Sequence, residues 1–291
     1  MPKPDVPRQV LWRIYTTQTM LAAGAIERPI AFENNDRPGI MLASAMRSYA
    51  NRFATTAGQR NVVFTNNDDG HRTAHDLIAK GAQVEAVVDI RQDAPDSNNF
   101  EVIQGAQVVD SRGRLGLKSV QIRGADGRVR SLECDALGVS GGWNPNVHMT
   151  CHMRGRPKWD ADLAAFVPGG ELPAGMQVIG AANGDMSTAG ALRSGAQAAH
   201  DALGLGGCPE SHPETEDAPV NITPFWYVEG ASRAWLDQQN DVTVKDVKLS
   251  HQEGFRSVEH LKRYTTLGMA TDQGKTSNMG GLAIMAELAG K

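Results

Sequence analysis

Apolar and polar positions change period several times along the chain, and the changes outline an α/β fold. Leu11–Ala23 alternates and then turns apolar, which predicts two short strands, the second buried and ending at Ala23-Gly24-Ala25. Helical spacing predicts a helix over Gly39–Arg52. Asn61–Thr65 reads as a short buried strand, Gly70–Lys80 as a helix and Val84–Asp89 as another strand, which together make a βαβ unit. A polar loop at Gln92–Asn99 precedes strands near Phe100–Val109, Gly116–Gly124 and Val129–Glu133. Asp135–Val139 is a strand that enters Gly141-Gly142-Trp143-Asn144-Pro145-Asn146. Met176–Gly180 predicts a further buried strand and Ser187–Leu203 a helix of small residues. Gly206–Asn221, rich in Pro, Glu and Gly, reads as a linker, and helices follow near Thr243–Gln252 and Ser257–Leu267.

Composition narrows the class. At 291 residues and 41% hydrophobic, the chain can bury a substantial core, and its length suggests about two domains. A net charge of −4 with no Lys/Arg block argues against a nucleic-acid binder. Cys134, Cys151 and Cys208 are widely spaced and read as free thiols of a reducing compartment. No apolar run reaches the ~18 residues of a membrane span, and the first residues lack the apolar core of a signal peptide. A soluble, cytoplasmic protein is expected.

Several motifs fail on spacing. Gly274-Lys275-Thr276 looks like the end of a phosphate-binding loop, but Met269 stands where the loop needs its first glycine, and a helix precedes it. Gly138-Val139-Ser140-Gly141-Gly142 matches a nucleophile elbow, yet Trp143-Asn144-Pro145 cannot begin the helix that the elbow requires. In the βαβ unit, the dinucleotide fingerprint positions are Thr65, Asn67 and Gly70, so only the packing glycine remains. Asp68-Asp69 would repel phosphate at the helix start, while Asp89 stands where a ribose-binding acid would be. A degenerate, non-binding copy of the fold is expected there. His71 and His75 share a helix face and are expected to pack at the domain surface; Arg72 replaces the glutamate of a zinc-protease helix. His148, Cys151 and His152 form the best metal candidate, but no fourth ligand is evident and no metal site is assigned. Lys275 and Arg263 read either as a solvated basic face or as partners of a phosphate at a subunit interface.

Three further segments match signatures of two-dinucleotide-domain flavoproteins in order and spacing. Leu21–Pro29 resembles the strand that crosses between the two domains, and Asp135–Asn146 the matching exit strand. Gln177–Ala199 resembles the last strand and the helix that points at the dinucleotide. Spacing to Gly195 puts the usual flavin-binding aspartate at Ala181, not at Asp185. The tail Val258–Asn278, with Asn240-Asp241-Val242-Thr243 before it, keeps the frame of a small helical 2Fe–2S module. Its four ligand positions fall on Asp237, Gln239, Asp272 and Ser277, none of them a thiolate.

On these strings the chain resembles the alpha subunits of heterotetrameric sarcosine oxidases. Gly24–Pro29, Asn35–Gly39, Val63–Asp68, Gly141-Gly142-Trp143 and Arg263–Asn278 carry the resemblance, which covers essentially the whole sequence. It implies a FAD/NAD(P)-binding two-dinucleotide-domain fold with an incomplete first domain, followed by the helical module without its cluster. Segments 1–58 and 173–215 would belong to the first, NAD-holding domain, 59–172 to the degenerate second domain and 220–291 to the module. Gly24, Ala181, Met186 and Thr188 would line an NAD, and no residue would be catalytic. FAD and FMN would lie mainly on the beta subunit, with gamma and delta subunits completing the complex. The family's N-terminal glycine fingerprint and C-terminal tetrahydrofolate domain have no counterpart here, so an interior piece of such a subunit is expected. The isolated chain would then be unstable. The alternative reading is a free-standing flavin/nicotinamide-dependent oxidoreductase of the pyridine nucleotide-disulfide reductase-like class.

Overall fold

The computed structural model describes residues 8–207, 213–215 and 220–291. In chain order the first half contains β1 (Thr19–Leu21), β2 (Ala25–Glu27), β3 (Ile40–Leu42), α1 (Ala43–Phe53), β4 (Arg60–Thr65), α2 (Asp68–Ala79) and β5 (Gln83–Asp89). Then come β6 (Glu101–Ile103), β7 (Gln107–Arg112), β8 (Ser119–Arg123), β9 (Val129–Glu133), β10 (Ala136–Ser140) and β11 (Trp143–Pro145). The remainder comprises β12 (Lys158–Asp160), β13 (Ala165–Val167), β14 (Met176–Val178), α3 (Thr188–Ala202), β15 (Trp235–Asp237), β16 (Val242–Thr243), α4 (Val244–Gln252), α5 (Val258–Thr265) and α6 (Asn278–Leu288).

The central layer is a parallel sheet in the order β3-β10-β4-β5-β6. Its inner strands β10, β4 and β5 are buried on both faces, which is why they read as continuous apolar runs. Alternate residues go to opposite sides. Val62, Phe64, Val88, Leu137 and Val139 pack with Val108, Val120 and Ile122 of the antiparallel β7-β8-β9 sheet. Val63, Val87 and Ala136 pack against Met46 and Ala50 of α1 and Ala74 and Leu77 of α2. Gly138 lets α1 lie close on β10, since a Cβ there would stand 2.6 Å from the Met46 sulfur and 3.3 Å from Ala43 Cα. Beside this unit, β1 and β14 form a short parallel pair, and β2 pairs with β11. The last 60 residues build a separate core from Leu236, Val242, Val247, Leu261, Leu267, Ile284 and Met285.

Several expectations change. Leu11–Tyr15 forms no strand: Leu11, Trp12, Ile14 and Tyr15 are 79–90% exposed, with no neighbouring strand to pair with. The Phe100–Val109 run splits at Gly105, whose φ of +61° turns the chain from β6 of the parallel sheet into β7 of the antiparallel one. Residues 40–42 are extended before α1 because the free edge of β10 pairs with them, Leu137 opposite Ile40. Ile40–Phe53 thereby joins the sheet formed by 60–140, although the sequence reading groups 1–58 with the first domain. Helix α6 was not anticipated from the sequence. Most of Gly206–Asn221, with Cys208, lies outside the described residues.

One buried acid sits where β2 meets α1. Glu27 is 2% exposed, its Oε2 accepts the Ser44 backbone N–H at 2.8 Å, and its Oε1 has no partner among the described residues. Burial pushes its carboxyl up to about 7, against smaller opposing contributions from hydrogen bonds with Ser140 and Ser44. The folded state therefore binds more protons than the unfolded chain between pH 4.5 and about 7. Stability should fall as pH rises across that window and level off above it, by about 3 kcal/mol in all. Glu27→Gln should flatten this slope in thermal melts taken from pH 5 to 8; parallel slopes for the two proteins would refute the assignment.

Candidate functional site

Two places in the fold stand where dinucleotides are held in such architectures, the carboxyl ends of neighbouring parallel strands. The first is formed by β1 and β14. Leu21 lies opposite Val178, and the Ile179 N–H donates to the Leu21 carbonyl at 3.1 Å. Gly24 and Ala181 thus follow the ends of adjacent strands, and Met186 and Thr188 lead into α3. Gly24 has φ +68° and open space where a Cβ would stand, and its carbonyl accepts the Asn146 N–H at 3.0 Å. The start of α3 is capped by Ser187, whose Oγ accepts the Gly190 N–H at 3.0 Å. Ala189 is buried, Thr188 is exposed, and Gly195 carries nothing within contact range of its missing Cβ. This end presents backbone and a helix N-terminus to solvent, the arrangement that receives phosphate groups. No carboxylate occupies position 181.

The second place, at the ends of β4 and β10, is filled by the protein itself. Gly70 packs over Thr65, where a Cβ would come within 2.5 Å. Asn67 caps α2: its Oδ1 accepts the Asp69 N–H at 2.9 Å, and its Nδ2 donates to Asn66 Oδ1 and the Ser140 carbonyl. Asp89, fully buried, accepts from Arg91 Nε, Nη2 and the Arg91 backbone N–H, and bonds His71 Nε2 at 2.8 Å. It faces inward and cannot meet a ribose. His71 is therefore a buried partner of Asp89, not a surface residue, because α2 turns it toward the end of β5; His75 is exposed and packs on the Phe100 ring at 4.9 Å. Ser140 is buried against Asn67 and is followed by β11, with no helix.

Between the two places lies Arg28, 1% exposed, which the sequence reading did not single out. Its Nε donates to the Gly141 carbonyl at 2.7 Å, and its Nη1 donates to the Trp143 carbonyl and to Asn144 Oδ1. Its guanidinium lies 4.7 Å from the centre of the Trp226 ring. Burial lowers its pKa to about 10. The signal in the sequence was the charged pair Glu27-Arg28 directly after an apolar strand.

The tail module keeps its shape without thiolates. Asp237, 3% exposed, accepts the backbone N–H groups of Gln239 and Asn240 on Oδ1 and of Gly268 on Oδ2. Gln239 Oε1 accepts from Thr271 Oγ1, and Asp272 Oδ1 from the Gly274 N–H. Asn278 sits against Gly268 and Gly274, both at φ +68°, where a Cβ would come within 2.1 and 2.3 Å of its Oδ1. The Gly274-Lys275-Thr276 turn follows helix α5 and docks on the exit strand: Lys275 Nζ lies 2.9 Å from His148 Nδ1 and 3.4 Å from Asn146 Oδ1. Lys275 and Lys262 line a cleft of about 610 Å³ with His148 and Gln273, whereas Arg263 pairs with Glu259 on the same exposed helix. Cys151 Sγ turns to the Val147 carbonyl, and among the described residues no group of three His, Cys, Asp or Glu side chains converges on one point.

The architecture is that of FAD/NAD(P)-binding flavoproteins. It superposes on the L-proline dehydrogenase of P. horikoshii with a TM-score of 0.67, covering 94% of this chain and 54% of that one at 17% identity. Residues 231–291 match the family described as "Sarcosine oxidase A3 domain". The chain is similar along nearly its whole length to sarcosine oxidase alpha subunits. It is 39% identical to that of Rhizobium meliloti (strain 1021) over 99% of this chain, and 39% identical to that of Corynebacterium sp. (strain P-1) over 98%. It spans 30–32% of the length of these curated relatives. No helix among the described residues is long and apolar enough to cross a membrane.

Replacing Asp237 with Ala should strand three backbone N–H groups and cost about 3 kcal/mol or more. Asp237→Asn, which keeps an acceptor for Gln239 and Asn240, should cost less. Urea denaturation read by circular dichroism separates the two variants, and an Ala variant as stable as the parent would refute the role.

Proposed function

We propose that this chain is the NAD-holding, non-catalytic portion of the alpha subunit of a multisubunit sarcosine oxidase. The similarity to sarcosine oxidase alpha subunits over 98–99% of the chain carries this reading. In it, sarcosine is oxidatively demethylated to glycine, with peroxide and a folate-bound one-carbon unit as further products, in the cytoplasm. The reacting groups, FAD and FMN, lie mainly on a beta subunit, and gamma and delta subunits complete a heterotetramer. The tetrahydrofolate site lies outside this sequence.

Within the chain, the open end of β1 and β14 suits a dinucleotide. Gly24 leaves room for close approach, the start of α3 offers backbone donors to a pyrophosphate, and Ala181 offers no carboxylate to a flavin ribityl chain. Gly24, Ala181, Met186 and Thr188 would hold the group. A bound nicotinamide dinucleotide is capable of accepting hydride; in this reading its role is structural, and Asp185 is the carboxylate that stands beside the start of α3. The alternative, a free-standing reductase working through residues 61–89, requires a dinucleotide where Asp89, Arg91 and Asn221 already bond one another and the helix start.

Co-expression with a beta subunit should yield a complex that produces peroxide from sarcosine, while this chain alone does not. In that complex, Gly24→Val, a β-branched residue forced to φ +68°, should weaken NAD retention by about tenfold or more. Asp89→Ala should leave retention of NAD unchanged once folding is verified. Tight NAD binding that Asp89→Ala abolishes and Gly24→Val spares would overturn the proposal.

A further inference from the structure

The crevice at the ends of β4 and β10 is crossed by a segment from far along the chain. Asn221–Thr223 lies antiparallel to Asn66–Asp68, with Ile222 bridged to Asn67. The backbone N–H and carbonyl groups of Asn221 and Thr223 all find specific partners. The Asp68 N–H, at the first turn of α2, donates to the Asn221 carbonyl at 3.2 Å, and the Asn221 N–H donates back to Asp68 Oδ2 at 3.0 Å. Arg91 Nη1 donates to the same Asn221 carbonyl at 3.1 Å and to Asp68 Oδ1 at 2.7 Å. The Thr223 N–H donates to the Asn66 carbonyl at 3.0 Å, and Asn66 Nδ2 returns a bond to the Thr223 carbonyl at 2.8 Å. The Ile222 side chain covers Gly142, where any Cβ would come within 2.4 Å of its Cδ1.

These are the groups that an anion at this helix end would need. The free N–H donors of a first turn are what bind a pyrophosphate. Here the Asp68 N–H is taken by Asn221 and the Asp69 N–H by the Asn67 side chain. Arg91 is spent on Asp89 and Asp68, and Arg47 pairs with Asp69 and Asp76. Just beyond the crossing the chain runs beside Ala31, with hydrogen bonds from Ala31 N–H to Trp226 and from Val228 N–H to the Ala31 carbonyl, and leads into residues 231–291.

We propose that this crevice has become the docking site for the chain's own 221–223 segment, so that seating of the C-terminal module and nucleotide binding at the crevice exclude each other. The inference is independent of where NAD is held and of the oxidase reading. It is tested by hydrogen exchange on the full chain with NADH and inorganic pyrophosphate as probes. Without ligand, the Asn221 and Thr223 amides should be protected. Asp68→Ala, which removes the acceptor of the Asn221 N–H, and Asn66→Ala, which removes the side-chain donor to the Thr223 carbonyl, should loosen the strap and raise exchange there by about tenfold or more, with the amides of β5 and β10 unchanged. Ile222→Ser, which alters the strap and leaves the crevice intact, should do the same and serves if the first variants do not fold. A probe that protects the start of α2 while exposing Asn221 and Thr223 would also support exclusion. Unchanged protection in all three variants would overturn it, as would a probe bound at the start of α2 with 221–223 still protected.

Discussion

A carboxylate buried without access to water holds the dinucleotide-like domain closed. Burial alone would raise the pKa of Asp89, but hydrogen bonds from His71 and Arg91 and the Arg91 charge outweigh it and keep the carboxyl below its usual value. A paired buried charge adds little over a well-packed apolar pair, yet losing one partner leaves an uncompensated ion at a cost of about 3–5 kcal/mol. That asymmetry locks the group of four. Arg91 must stay on Asp89, Asp68 must stay on Arg91, and the 221–223 segment then meets an occupied helix end with its own carbonyl.

From that lock follows a division between the two strand-end sites. The one at β4 and β10 is occupied by the chain itself, since the first helix donors and Arg91 are spent on internal partners. The one at β1 and β14 is open, with a left-handed glycine at one strand end and a capped helix start beyond the other. Arg28 sits between them and ties the β10–β11 turn to β2 through carbonyl acceptors and a Trp226 face. Because it has no carboxylate partner among the described residues, its position depends on those carbonyls staying in place, which couples the turn after β10 to the segment carrying Trp226.

The sheet of the dinucleotide-like domain was legible because its strands are buried on both sides and its helices carry clear apolar stripes. At the turn after β4, Gly70 packs over Thr65 and Asn67 caps α2, so the side chains that replace the first two glycines are built into the helix start. What stayed hidden depended on distant partners. Ile40–Leu42 looks like the start of a helix, and only the edge of β10 makes it a strand. Helix α6 has glycines at 280 and 281 and apolar residues on all sides, because it packs between α4 and the cleft lined by Trp159 and Trp226, so no polar stripe marks it. The 221–223 strap lies more than 150 residues from Asp68, and nothing in either segment alone signals the other.

The tail shows how one buried carboxylate can tie together a small helical module. Thiolates around a metal cluster fix several backbone segments to one point. Here a single carboxylate does part of that work: Asp237 gathers N–H groups from the turn after β15 and from Gly268, bringing the segment before α4 against the one after α5. Gln239 and Asp272 make only neighbouring bonds, and Ser277, buried, has no partner for its hydroxyl among the described residues. The four positions are thus unequal, one essential to the knot and three incidental. Among the described residues the four side chains share no common centre. The module is attached to the rest of the chain by Asn35, which bonds the Trp235 N–H and carbonyl, by Glu33 on the Ser232 N–H, and by Lys275 beside His148 and Asn146.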